Sequence, residues 1–593
     1  MAAEEPTDAP PATEADAVEE TRADAAHAGD AESDASSPNA SSPNAVVRLW
    51  SRYSKRLSYG GLVVATVLLW LSVTPSLLPR GPLFQGLVSA AAAAIGYAIG
   101  AFFTWLARYL VSRREPWPRP RGWWWVGLTI VFLAGTVFML YWYHRWQEEL
   151  RDLMGVEHLN WTAYPIIVVV AVVVFGVLLG VGQAWGALLR MLARRMSRRI
   201  PPRIAGITAA TVMVVVSVLI LNGAVADYGM SALNNSFAAL NNETNPDSAP
   251  PTSTLRSGGP ESVVSWASLG RMGRTFVSTG PTVAELEAFN KAPAKEPIRV
   301  YAGLDSADSI QDSAELAAQE LVRTGGLQRK LIGIAGSTGT GWVNQANLDS
   351  LEYMYNGDTA MVSMQYSMLP SWLSFLVDQE RARQAGRALF EAVDRLVRRI
   401  PEAQRPKVVV FGESLGSFGA EAPFGSVATM SARTDGALLT GPTFSNQTWV
   451  DTTADRDAGT SEVLPIFNDG EQVRFINRAK DLDRPAGVEW DRGRIVYLQH
   501  ASDPISWWNP DLVLNKPDWL KEPRGSDVLS AVNWIPFVTF LQVAADMAVA
   551  VDVPDGHGHN YLREIPTAWA AILTPEGWTD QKTAELLPRL HRD

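Results

Sequence analysis

Gly412-Glu413-Ser414-Leu415-Gly416 follows directly on the apolar run Lys407-Val-Val-Val-Phe411. A serine between two glycines, after a strand-like run and before a helical pattern, fits a sharp strand-to-helix turn that presents its hydroxyl as a nucleophile. Glycine suits both flanks because the tight turn brings backbone segments too near for side chains. The head of the following helix would offer N–H groups and a positive dipole end to a developing oxyanion. Such a serine needs a base, and the base needs an acid to hold its tautomer. Asp555-Gly-His557-Gly-His559-Asn-Tyr561 lies where the chain order serine, acid, histidine puts the base, with His559 the first choice and His557 the second. This loop also reads as a plain surface loop, or as a His-x-His metal pair with Asp555 as its nearby carboxylate. Of the seven histidines, His27 lies in the tail, His144 and His158 lie in or beside an apolar region, and His500 at a strand end reads as structural.

The acid is sought after a later strand. Arg494-Ile-Val-Tyr-Leu-Gln-His-Ala-Ser-Asp503-Pro504 supplies one, with Asp435 and Asp511 behind it. Asp503 reads equally as a turn-former, since Asp-Pro is a common turn dipeptide. A second oxyanion donor is expected from Gly336-Ser337-Thr338-Gly339-Thr340-Gly341-Trp342, which follows the apolar run Leu331–Ala335 and lacks the lysine of a phosphate-binding loop. The expected pair is the Leu415 N–H with that of Ser337 or Thr338; a plain turn is the alternative reading. This chemistry requires no cofactor and no metal ion.

The elements that must position these groups alternate. Strands are expected at Ile298–Leu304, Leu331–Ala335, Met361–Tyr366, Lys407–Phe411, Ala437–Thr440 and Arg494–Gln499, with helices over Asp312–Val322 and Asp378–Arg399. Alternation of this kind implies a mostly parallel sheet covered on both faces, with its site beyond the carboxyl ends of the strands. The stretch Val528–Ala550 reads as a helix, where a last strand would be expected before the histidine loop.

Five apolar stretches, near 59–78, 82–107, 123–143, 164–186 and 202–222, are about long enough to cross a ~30 Å hydrocarbon core. Trp105, Trp117, Trp123–Trp125, Trp142 and Trp161 lie near their ends, where amphipathic rings favour the interface. Arginine-rich connections (Arg108, Arg113, Arg114, Arg119, Arg121, then Arg190, Arg194, Arg195, Arg198, Arg199, Arg203) alternate with poor ones. That pattern puts the N-terminus in the cytoplasm, and five spans then put the rest outside it. The spans hold no mid-membrane Lys, Asp or Glu, which argues for an anchor rather than a transporter. Residues 1–47 read as a disordered acidic tail, 48–222 as the five-helix membrane region, 223–260 as a linker rich in Asn, Ser and Pro, and 261–593 as the catalytic domain. The net charge of −11 gathers partly in the tail, and there is no basic footprint for nucleic acid. The absence of cysteine excludes disulfides, a thiol nucleophile and thiolate metal sites.

Thr74-Pro-Ser-Leu-Leu-Pro-Arg80, Gly270-Arg-Met-Gly-Arg274, Pro297-Ile-Arg-Val-Tyr301, Thr338-Gly-Thr-Gly-Trp342, Gln365-Tyr-Ser367, Gly412-Glu-Ser-Leu-Gly416 and Gly556-His-Gly-His559 together resemble the actinobacterial membrane α/β-hydrolase family. The resemblance runs from about residue 55 to the end and departs at Ser337, where a proline is expected. It implies an α-helical transmembrane bundle followed by an α/β-hydrolase-like domain. The residues predict a membrane-anchored serine hydrolase, or an acyltransferase of the same mechanism, whose partners are the lipid bilayer and a lipid-like acyl ester. The rival readings are a non-catalytic binding or scaffold protein that keeps the hydrolase shape, and a transporter with an accessory domain. The run Trp372-Leu-Ser-Phe-Leu-Val377 is a candidate acyl-binding lid or a buried helix start.

Overall fold

The computed structural model describes residues 57–111, 120–219 and 236–590. The acidic tail at 1–47 and the basic residues Arg48, Arg52, Lys55 and Arg56, expected on the cytoplasmic side of the first apolar stretch, lie outside them.

Helix α1 runs over Tyr59–Leu71, α2 over Pro82–Leu110, α3 over Gly122–Met154, α4 over Ala163–Met196 and α5 over Pro202–Leu219. Among the described residues, α2 to α5 are the four helices long and apolar enough to cross a membrane. Their outward faces expose Val137, Phe138, Val172, Val181 and Ile207, a surface that suits lipid rather than water. The expectation of five helical spans is corrected here. With 13 residues, α1 reaches roughly 20 Å, short of the hydrocarbon thickness. The chain leaves the helix at Ser72 because Pro75 and Pro79 cannot donate to a helical ladder. Small residues let α1 press onto α2: a Cβ on Gly100 would come within 2.3 Å of the Gly60 carbonyl, and one on Gly96 within 2.7 Å of the Val64 carbonyl.

Beyond these apolar helices, β1 (Ile298–Ala302), β2 (Leu331–Gly336), β3 (Thr359–Met364), β4 (Lys407–Glu413), β5 (Gly436–Thr440), β6 (Val473–Ile476) and β7 (Arg494–Leu498) form a sheet in the order β1-β3-β2-β4-β5-β7-β6. Every pairing is parallel. Both faces are covered, as the near-continuous Val, Ile, Leu and Met of the strands require. Period-two alternation sorts the strand residues: Ile332, Ile334, Val408 and Val410 join the core under helices Ile310–Arg323 and Gln379–Val397. Leu331, Ala335, Val409 and Phe411 join the opposite core with Leu348, Leu351, Trp569 and Ile572.

Three readings differ from the structure. Strand β6 went unread, being a four-residue edge strand whose Val473-Arg-Phe-Ile476 carries no longer apolar run. The helix expected over Val528–Ala550 is confined to Val538–Asp546, with one 3₁₀ turn after it. Pro536 disfavours helix at Ile535, and Phe537 has φ 63°. Among the described residues no strand intervenes between β7 and His559. Finally, the linker stretch is partly tied down. Arg256 bridges Arg299 of β1, Ser257 N–H donates to the Arg299 carbonyl at 3.1 Å, and Gln365 Nε2 donates to the buried Asn241 at 2.9 Å.

Candidate active site

Strand β4 lies in the middle of the sheet between β2 and β5, and its end carries Ser414. Ser414 has φ 57° and ψ −122°, a conformation that costs a non-glycine residue about 1–3 kcal/mol. The surroundings hold it: Ser414 N–H donates to the Thr440 carbonyl at the end of β5, at 2.9 Å. The helix Leu415–Glu421 turns back so closely that a Cβ on Gly412 would come within 2.2 Å of the Gly416 carbonyl. A Cβ on Gly416 would meet the Gly336 carbonyl of β2 at 2.4 Å. The two flanking glycines are therefore a packing requirement as well as a turn requirement.

Asp503 follows β7 and caps the short helix Pro504–Trp507, its Oδ1 accepting the Ile505 N–H at 2.8 Å. Its Oδ2 accepts from His559 Nδ1 at 2.7 Å, Tyr561 OH at 2.5 Å and Ser506 Oγ at 3.2 Å. The turn-forming and acid readings of Asp503 are thus compatible. Its side chain is fully buried and that of His559 nearly so. Burial pushes Asp503 up, but the His559 charge and the hydrogen bonds from His559, Tyr561 and Ile505 outweigh it and hold the carboxyl below its usual range. Burial pushes His559 down, yet Asp503 and, after it, Glu413 outweigh that and raise it.

The imidazole of His559 lies over Gly441, where a Cβ would come within 2.3 Å of Cε1. Gly441 follows Thr440, whose carbonyl takes the Ser414 N–H, so Ser414 and the His559 ring are both anchored at the end of β5. The Nε2 atom of His559 is buried and has no hydrogen-bond partner among the described residues, so the contact to Ser414 is open in this structure.

The Leu415 N–H sits at the first helical position, with no carbonyl four residues back within its helix. Of the two loop donors, Thr338 is corrected: its N–H donates to the Trp342 carbonyl at 2.9 Å and is engaged. Ser337 directly follows Gly336, which is in register with Gly412, and its Oγ donates to the Met364 carbonyl at 2.6 Å.

Among the described residues His557 makes no bond to Asp503, and its buried Nδ1 has no partner. Among the described residues no group of three or more His, Asp or Glu is arranged to hold a metal ion, so the His-x-His pair finds no third ligand. His500 packs beneath the loop: Nδ1 meets the Gly558 carbonyl at 2.9 Å and the ring stacks on Tyr561 at 4.3 Å. Asp435 serves β4, accepting the Val408 N–H at 2.8 Å, and Asp511 is exposed on a 3₁₀ turn. Sequence reasoning missed two members of the site. Tyr561 stands two residues after His559, a spacing that could have flagged it. Glu413, beside the nucleophile, is buried and accepts from Asn344 Nδ2 at 2.6 Å. Burial pushes its carboxyl up, against the pull of His559 and Asn344.

A parallel sheet of this order, with a strained serine after its central strand and an Asp–His pair on later loops, defines the α/β-hydrolase class. Comparison with known families agrees: an alpha/beta-hydrolase family matches residues 298–586, and the N-terminal part of an alpha/beta-hydrolase family matches 73–281. The chain belongs to this α/β-hydrolase family. No curated protein and no solved structure matches it.

Proposed function

We propose that this protein is a membrane-anchored serine hydrolase that cleaves acyl esters of lipid-like character. The observation that carries the reading is the buried His559–Asp503 pair, anchored like the strained Ser414 at the end of β5. His559 takes the Ser414 proton as Oγ attacks the ester carbonyl, and the C–O bond to the alcohol breaks as His559 returns the proton to that oxygen. The Leu415 and Ser337 N–H groups hold the oxyanion. Water then takes the acyl group; an acceptor alcohol in its place would make the same chemistry an acyl transfer.

A row of aromatic rings supports an apolar acyl group. Phe375, on the helix Ser371–Val377, lies 5.1 Å from Phe444, which lies 5.7 Å from Trp508, which lies 5.3 Å from Phe540. That helix covers the glycine-rich loop, where a Cβ on Gly339 would come within 2.4 Å of Ser374 Cβ. Labelling of the full-length protein in detergent with a fluorophosphonate, followed by peptide mass analysis, is expected to place the adduct on Ser414. A folded protein that takes no adduct would favour the binding-protein reading.

The same proposal places the hydrolase domain outside the cytoplasm, and it does so without α1. Ser76 to Arg80, before α2, contact the hydrolase domain at Asp546, and Leu150 and Met154, at the end of α3, share its core. The opposite ends of α2 to α5 border the two arginine-rich connections, which belong in the cytoplasm. The cysteine-free chain allows a direct check. A membrane-impermeant maleimide on intact cells is expected to label Asp457→Cys and to spare Arg198→Cys; the reverse pattern overturns the orientation.

A further inference from the structure

The chain between α1 and α2, Ser72–Gly81, is not helical, yet it is among the most buried parts of the molecule. Ser72, Ser76, Leu77, Leu78 and Arg80 are each at most 3 % exposed. Non-helical backbone at this position needs partners for its polar groups, and the hydrolase domain supplies them. Asp546 Oδ2 accepts the Ser76 hydroxyl, the Leu77 N–H at 3.1 Å and the Leu78 N–H at 3.3 Å. Gln542 Nε2 donates to the Ser72 carbonyl at 3.2 Å and the Thr74 carbonyl at 2.8 Å. Arg80 Nε faces Asp546 Oδ1 at 3.1 Å, off the line of a hydrogen bond, so charge rather than direction joins the two. From the membrane side, Gln85 Nε2 reaches the Ser72 carbonyl at 3.1 Å and Arg151 the Arg80 carbonyl at 3.2 Å.

Asp546 ends the helix that leads, four residues later, into the loop bearing His559. That loop is folded on itself by the His559 N–H, which donates to the Ala550 carbonyl at 2.8 Å. Gly558, next to His559, is gripped from the sheet side: its carbonyl meets His500 Nδ1 at 2.9 Å, and its N–H donates to Ser502 Oγ at 2.8 Å. From the other side comes Leu78. A Cβ on Gly558, at φ +54°, would lie 2.6 Å from the Ala550 carbonyl, 2.7 Å from Val553 Cγ2 and 3.4 Å from Leu78 Cδ2. The base-bearing loop is therefore packed between the end of β7 and a residue contributed by the membrane region.

We infer that Leu78 and Arg80 are positioning residues for His559, so that the membrane region completes the active site rather than only tethering it. The inference rests on the reading of His559 as the base. Leu78 seats the loop at Gly558, and Arg80 holds Asp546 so that the helix delivers the loop at the right height. A displacement of about 1 Å at a catalytic group costs on the order of 10²-fold in rate.

The test uses the full-length protein in detergent with Leu78→Ala, Arg80→Gln, the volume-conserving Leu78→Met, and Val397→Ala as a core truncation remote from the loop. Hydrogen exchange of residues 550–560 and the rate of fluorophosphonate labelling are followed together. Leu78→Ala and Arg80→Gln are expected to speed exchange in that peptide, slow labelling about 10- to 100-fold and move its acid limb. Leu78→Met is expected to restore both, and Val397→Ala to leave the peptide's exchange at the wild-type rate. Unchanged exchange at 550–560 in folded Leu78→Ala and Arg80→Gln overturns the inference, as does equal acceleration in Val397→Ala. A wild-type protein that takes no label removes the serine reading alone, because the exchange arm still decides whether the segment seats the loop.

Discussion

Alanine at Ser414 is expected to lower turnover of a soluble ester by about 10⁵–10⁶-fold, and alanine at His559 added to it to cost nothing further. On the proposed mechanism the two residues act in one step: the hydroxyl is a poor nucleophile until His559 takes its proton, and the imidazole has no proton to move once the hydroxyl is gone. Their shared anchoring argues for the same unity. Thr440 holds the Ser414 N–H and the adjoining Gly441 supports the His559 ring, so one strand end carries both groups. Rates of a nitrophenyl ester for the wild type, each single variant and the double variant decide it, with thermal unfolding to show that the fold is kept. If Ser414→Ala keeps more than about a hundredth of the wild-type rate, the nucleophile lies elsewhere. If the two losses multiply, the residues do not share a step.

The turn at Ser414 was legible because it is written locally. A strand, a glycine, a serine and a glycine report their own turn, and Asp503 and His559 fall after β7 in the order that the fold demands. What the sequence hid is what depends on distant partners. The stretch 59–78 is apolar enough to count as a span, but hydropathy does not register that Pro75 and Pro79 leave backbone groups in need of acceptors and donors. Those are found on Gln542 and Asp546, some 470 positions away. The choice between Ser337 and Thr338 turns on one hydrogen bond, from Thr338 N–H to the Trp342 carbonyl, which closes the glycine-rich loop and which no spacing announces. Glu413 was overlooked for a related reason. Glutamate is mostly an exposed residue type, whereas here it ends β4, pairs with Thr440 of β5 and accepts from Asn344. The reading of α1 as a span would have fixed the orientation by parity. The contacts of Ser76 and Arg80 with Asp546 put the hydrolase domain at the ends of the apolar helices away from the arginine-rich connections, so the proposed orientation does not depend on that span.

Asparagine at Asp503 is expected to lower turnover about 10³–10⁴-fold and to shift the pH profile as well. On the proposed mechanism His559 must be neutral to accept the serine proton, so the rate is expected to rise with pH through its pKa. Asp503 and Glu413 raise that pKa against burial, and the acid limb of the wild type therefore lies above the ordinary histidine value of about 6.5. Asp503→Asn removes the larger of the two opposing charges. Burial then prevails, His559 is pushed down, and the limb moves to lower pH. The plateau falls for a separate reason: an amide facing Nδ1 can offer N–H where the carboxylate accepted, which stabilises the tautomer with its proton on Nε2 and leaves no lone pair for Ser414. Glu413→Gln moves the limb in the same direction by less, because Glu413 makes no hydrogen bond to the imidazole and its loss leaves the tautomer in place. Profiles of kcat/KM from pH 5 to 9 for the three proteins separate these effects. A Glu413→Gln limb that coincides with the wild type would mean that burial keeps Glu413 neutral over this range. A plateau kept in Asp503→Asn would show that another group orients His559, and Tyr561, bound to the same carboxylate at 2.5 Å, would be the next residue to replace.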